Sequence, residues 1–166
     1  MSFTNRICQR LHQEHDSTIA LAGRLEHLMV RFRDDAPDIS DSVSARFLGD
    51  LSTDISGEVE RHFAFEEDEL FTYLVSVGEP AIGMLLTEEH EVLRPLGAQI
   101  SALAGKARDR RLEPSEWSAL RRAGQEFCER IRAHVEKEEM GLLPLLEEHM
   151  DPQTEERLYE AYVANA

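Results

Sequence analysis

Residues Arg61 to Leu74 read RHFAFEEDELFTYL, and the pattern returns at Ala133 to Leu146 as AHVEKEEMGLLPLL. Superimposed, His62 falls on His134, Glu66 on Glu138, Glu67 on Glu139, Leu70 on Leu142 and Leu74 on Leu146. Each copy is a His-x-x-x-Glu step. On an α-helix, residues four apart lie one turn above each other on the same face. An imidazole and a carboxylate therefore project side by side, and one helix offers a cation two ligands of different hardness. Both steps sit on an apolar seam, and each has a further histidine upstream.

Working outward, the apolar spacing predicts four long helices. From Phe3 to Arg33 a stripe runs through Thr4, Cys8, Leu11, His15, Thr18, Ala22, Leu25, Met29 and Phe32, in alternating steps of four and three. Asp34 to Asp41, with Pro37, reads as a loop. A second helix is expected from Ser42 to Val77, with Leu48, Leu51, Ile55, Val59, His62, Glu66, Leu70 and Tyr73 inward and Gly78 in the left-handed position after it. A third, from Ala81 to Ala107, turns Ile82, Leu86, His90, Leu93, Gly97, Ile100 and Ala104 inward, and Pro95 should kink it. The fourth starts near Pro114 and carries Trp117, Leu120, Gly124, Phe127, Ile131, His134, Glu138 and Leu142, with Pro144 bending or ending it. Asp151-Pro152 reads as the cap and first turn of a short terminal helix ending near Tyr162. The fold class is therefore all-α: an antiparallel up-down-up-down four-helix bundle with a short C-terminal helix. Residues 1–166 form a single domain with its core over about 3–146 and the last helix over about 152–162. The bundle is two similar hairpins, since Leu11 to Asp16, LHQEHD, resembles Leu86 to Glu91, LTEEHE.

Composition narrows the partners. The chain of 166 residues carries 33 acidic and 18 basic side chains, a formal charge of −15 that repels nucleic acid and anionic membranes. No segment has the apolar length of a membrane span, and the N-terminal MSFTNRICQRLHQEHD lacks the apolar centre of a signal peptide. The expected location is cytoplasmic. Cys8 and Cys128 are isolated in sequence and read as buried thiols.

His15, His62, Glu66, His90, His134 and Glu138 lie near the middle of the four stripes, so an antiparallel bundle brings all six to one level. Four imidazoles and two carboxylates in an apolar core suit iron, manganese or zinc. Two ions satisfy the arithmetic best. If each carboxylate bridges, each ion receives two nitrogens and two oxygens, leaving positions for a solvent-derived bridge and an exogenous ligand, unlike a closed structural site. With no cation present, two carboxylates would face each other, and one of them is expected to take up a proton.

The order H…HxxxE…H…HxxxE resembles the hemerythrin-like, or HHE cation-binding, family, from about Arg10 to Pro144, and the run Glu138 to Pro144 is similar to the ending of that family's last helix. The resemblance implies a non-haem di-iron centre. It makes His15, His62, His90 and His134 terminal ligands and Glu66 and Glu138 bridges. Oxygen-carrying members have an extra histidine where this chain has Arg94, so the chain resembles the four-histidine, two-glutamate subgroup. Oxygen or nitric-oxide binding or sensing is the implied function. Peroxide or nitric-oxide turnover, or iron delivery for repair of iron–sulfur centres, is the alternative. Iron storage ranks last, because ferritin-type bundles use Glu-x-x-His steps. A sensor of this kind would need a separate, unidentified protein partner for its output.

Further residues carry two readings. His12, one turn from His15, could be a substitute ligand or an outer partner, and is expected to be partly exposed. His27 and His149 are expected at the surface. Glu67 and Glu139 are either solvated or acceptors for an imidazole N–H. Phe63, Phe65, Phe71, Tyr73 and Phe127 read as core, with a gas-pocket lining as the sharper option. Lys106 to Arg111 reads as a solvated loop.

Overall fold

In the computed structural model, which describes residues 3–164, five helices pack together. Helix α1 spans Arg6–Arg31. Helix α2 begins as Ser42–Phe65, passes through a π segment, Glu66–Phe71, and finishes as Thr72–Ser76. Helix α3 is Ala81–Lys106. Helix α4 runs Pro114–Lys137, then a π segment Glu138–Leu142, then Leu143–His149. Helix α5 is Pro152–Ala164.

Local chemistry sets the ends. Asn5 accepts from the amides of Ile7 and Cys8, so α1 starts after it, later than the stripe suggested. Thr4, assigned to the stripe, is exposed and is tied to Glu147 instead. Gly78 has φ of 88°, the left-handed position expected of it after α2. Asp151 caps α5 by accepting from the Thr154 amide at 2.8 Å.

The two π segments begin at Glu66 and at Glu138, equivalent positions of the two hairpins. A π turn inserts one extra residue into the helical register. This corrects one expectation and decides between the alternatives of another. In α2 the wider turn makes Leu74 fully buried and leaves Tyr73 only half-buried. In α4 the helix does not end at Pro144 but continues to His149, because the proline falls in the first turn after the π segment. Pro95 sits exposed within α3, which is unbroken from Ala81 to Lys106.

Antiparallel pairing is visible in paired contacts. Cys8 Sγ donates to the Leu143 carbonyl at 3.6 Å, Cys128 Sγ to that of Ala22 at 3.5 Å, and Trp117 Nε1 to that of Phe32 at 2.8 Å. As α1 ascends, α4 descends. The α2–α3 and α3–α4 pairs pack closely, while α1 and α2 approach each other less. Two apolar clusters result. One contains Leu25, Leu51, Ile55, Leu93, Ile100, Trp117, Leu120 and Phe127; the other contains Ile7, Leu11, Leu70, Leu74, Leu86, Leu142, Leu146 and Leu158. Burying each such side chain contributes roughly 1.5–3 kcal/mol. Buried His15, Glu66, His90, His134 and Glu138 lie between the two clusters.

Candidate metal centre

All six sequence-derived residues meet at that level. Glu66 and Glu138 are fully buried, and His15, His90 and His134 nearly so. Glu66 places Oε1 3.2 Å from His62 Nε2 and Oε2 3.3 Å from His90 Nε2. Glu138 places Oε2 2.8 Å from His15 Nε2 and Oε1 2.7 Å from His134 Nε2. Each carboxylate thus gives one oxygen to each of two groups: His15, His62, Glu66 and Glu138; and Glu66, His90, His134 and Glu138. Within each group the ligand atoms lie within 4.8 Å of one another, close enough to hold a cation.

The angles support a cation better than a proton. Despite those short separations, His15 Nε2 and both oxygens of Glu66 and Glu138 are buried with no properly directed hydrogen bond. Buried polar atoms are ordinarily satisfied. Here their unshared pairs converge on the space between the helices, as ligand atoms do.

The other ring nitrogens are spoken for. Nδ1 of His15 donates to Glu139 at 2.6 Å, of His62 to Glu14 at 2.9 Å, of His90 to Glu67 at 2.7 Å and of His134 to Glu89 at 2.8 Å. A carboxylate only accepts, so these contacts place the proton on Nδ1 and leave the Nε2 lone pair free for a cation. Burial works against charging Glu14, Glu67 and Glu89. Hydrogen bonds from His62 and Tyr162, from Arg94 and His90, and from Lys137 and His134 outweigh it and lower their pKa values.

Without a cation, carboxylate neighbours favour the protonated form of His15, His62 and His134. Burial opposes charge on His15 and His134, but the adjoining Glu138 carboxylate prevails and raises both pKa values. Burial opposes charge on His62 as well, yet it is raised well above its usual range, chiefly by Glu66. Burial would raise Glu138, yet His134 and His15 beside it hold it well below the carboxylate range. The expected proton on a carboxylate is therefore not placed on Glu138.

The two ends of the centre differ. Phe63 stacks on His90 with ring centroids 3.7 Å apart, and Arg94 makes a two-armed pair with Glu67 at 2.9 and 3.0 Å. Beside His15 and His62 lies instead a cavity of about 30 Å³, the volume of one or two small molecules, lined by Thr18, Leu21, Ile55, Val59, Phe127 and Ile131 among others. Of the five aromatic residues considered for such a lining, Phe63 and Phe127 border it, while Phe65 and Phe71 belong to the core. His12, half-exposed, bonds Glu139 at 2.9 Å, outside both ligand groups. His27 is exposed, and His149 is half-buried at the end of α4.

Sequence reading passed over Glu14 and Glu89 as imidazole partners. The signal existed: in the repeated LHQEHD and LTEEHE, Glu14 and Glu89 occupy the same place.

A helical bundle with a buried four-histidine, two-carboxylate cluster is a metal-binding architecture. Residues 82–163 match the model of the hemerythrin HHE cation binding domain, and this stretch of the chain belongs to that family. The match spans α3, α4 and α5; α1 and α2 carry the same ligand order. No curated protein and no solved structure matches the chain.

Proposed function

We propose that the whole chain acts as one hemerythrin-like domain that holds two iron ions and binds or senses oxygen or nitric oxide. The single observation that carries this reading is the division of each carboxylate, one oxygen toward His15 and His62 and the other toward His90 and His134. His15, His62, His90 and His134 would be terminal ligands and Glu66 and Glu138 the bridges, as in the four-histidine, two-glutamate members. Manganese or zinc are the substitutes this donor set accepts. The ions, when bound, would supply redox chemistry and unfilled coordination positions for a diatomic ligand.

The protein's own residues do the rest. Glu14, Glu67, Glu89 and Glu139 hold each imidazole in one tautomer and orientation. Leu21, Ile55, Val59, Phe127 and Ile131 make one side of the neighbouring cavity apolar, which suits an uncharged diatomic. Phe63 stands between that cavity and His90, and the Arg94–Glu67 pair closes the opposite end. Buried, unreactive thiols at Cys8 and Cys128, each pushed up to about 12 chiefly by burial, fit the reducing cytoplasm. No helix among the described residues is long and apolar enough to cross a membrane.

The test is elemental analysis and an absorption spectrum of protein purified without air, before and after exposure to oxygen and to nitric oxide. Two irons per chain and a spectrum that responds to either gas are expected. A reproducible single ion, or a loaded protein indifferent to both gases, overturns the reading.

A further inference from the structure

The four outer carboxylates are closed off differently. Glu67 is held by Arg94 at 2.9 and 3.0 Å, Glu89 by Lys137 at 2.7 Å and Glu139 by His12 at 2.9 Å, all side chains of the four long helices. Glu14 has Arg61 of α2 only at 4.0 Å and is held by the hydroxyl of Tyr162, which belongs to α5 and lies outside the four-helix frame. The phenol has a defined direction. Arg10 Nε donates to the Tyr162 oxygen at 3.0 Å, so the phenol's own proton is the one that goes to Glu14 Oε1. Glu14 Oε2 in turn accepts from His62 Nδ1 at 2.9 Å. Phe65, one residue before Glu66, meets the Tyr162 ring edge-on at 5.3 Å.

His62 is where such support matters most. Its side chain is 14% exposed, against 0–3% for the other three ligating histidines, so packing alone confines it least. It also borders the apolar cavity. Besides buried Leu158 and Tyr162 and the partly buried Tyr159 and Ala161, α5 is attached by the Arg6 amide and side chain to Glu155, by Arg6 to Glu156 and by Arg157 to Glu69. Exposed pairs of this kind contribute little. The Tyr162–Glu14–His62 link is the tie that runs from this helix to the centre.

We propose that α5 is part of the metal centre: Tyr162 is a positioning residue that holds Glu14 and, through it, His62, so that filling of the His15–His62 position and docking of α5 stabilise each other. This rests on the two-ion reading above. Coupling of two events is reciprocal, so an ion at His62 tightens α5, and loss of α5 contacts weakens that ion. A change of ligation at His62 then becomes readable on the protein surface as a looser or tighter C-terminal helix.

The experiment uses the full chain, stripped of metal and titrated anaerobically with Fe(II) and, separately, with Zn(II). Tyr162→Phe should weaken one of the two ions by about tenfold, the lower end for loss of an outer partner, and leave the other unchanged. Arg157→Ala, which removes a surface tie only, should titrate as the parent does. Hydrogen exchange of the amides in 152–164 should slow on metal binding in the parent and not in Tyr162→Phe. In a His62→Ala background, Tyr162→Phe should change nothing further. The coupling is overturned if a parent that takes two ions gives a Tyr162→Phe titration superimposable on its own. It is equally overturned if both ions weaken together with the melting temperature, or if α5 exchange ignores metal. A parent that takes only one ion overturns the two-ion reading, and this inference with it.

Discussion

His90 and His134 present their Nε2 atoms to each other at 3.2 Å in a core where neither ring is more than 1% exposed. Two imidazoles with both Nδ1 protons committed to carboxylates have only lone pairs, or an added proton, to point at that gap. A cation accepts both lone pairs at once. His134→Ala should therefore lower metal content sharply, while His27→Ala and His149→Ala should not, since neither ring belongs to either ligand group. Elemental analysis of the three variants decides; full metal in His134→Ala with loss in His149→Ala would require the site to be redrawn.

Glu138→Gln keeps the shape of the side chain but has one acceptor oxygen where the carboxylate has two. Because Glu138 serves His134 with Oε1 and His15 with Oε2, the variant should bind about one ion, weakly, and lose its response to oxygen. Metal content and oxidation kinetics measured on the same sample test this; two tightly held ions would show that the bridge is dispensable.

Glu89→Ala removes the acceptor that orients His134 without touching either ligand group. Loss of such a partner commonly costs 10–100-fold in metal affinity. A competition titration against a chromophoric chelator should show a fall in that range, with near-native helix content by circular dichroism. Unchanged affinity would mean that packing alone holds His134 in place.

Removing metal should leave a helical but less stable protein, because the two apolar clusters lie on either side of the centre and do not need it. A ligand at a hundredfold excess over its Kd contributes about 2.7 kcal/mol, or roughly 5–10 °C in melting temperature for a chain of this size. The metal-free form has a signed pH dependence. His15 and His134 have folded pKa values raised above the ordinary 6.5 by Glu138, after the opposing effect of burial. Their contribution is fully present below that value and is lost as pH rises through the raised ones. The melting temperature of the stripped protein should accordingly fall on the alkaline side of 6.5, and the metal-induced gain should grow there, since a cation needs neutral imidazole. A stabilisation by metal that is independent of pH would contradict this.

Gly83→Ala probes the packing next to the centre. A Cβ there would stand 3.0 Å from Cβ and Cγ of Phe71, atoms too close to the backbone to move aside. Overpacking of this kind costs about 1–3 kcal/mol, and thermal or denaturant melting of the variant should show a loss of that size. An unchanged midpoint would mean that α2 and α3 separate readily at this level.

Helical periodicity alone determined the four stripes, and the repeated His-x-x-x-Glu step, with the lone histidine on the stripe before each copy, picked out the six residues of the candidate centre, because an ionisable side chain on an apolar face is costly to bury unless a cation or a charged partner holds it. Periodicity could not place the outer carboxylates. Glu14 and Glu89 sit on the flank of their stripes, where a helix read by itself turns them toward solvent, and only the neighbouring helix brings His62 and His134 within 2.8–2.9 Å of them. The π segments escaped notice for a related reason: one extra residue in a turn leaves the apolar pattern nearly intact and shows only as the exchange of Leu74 for Tyr73 in the core. The unlike ends of the centre, Phe63 and Arg94 against His90 but a cavity beside His62, and the reach of Tyr162 to Glu14 were decided by tertiary packing. Periodicity fixes which face of a helix is buried; which neighbour meets that face, and how closely, depends on the three-dimensional fit of side chains far apart in the chain.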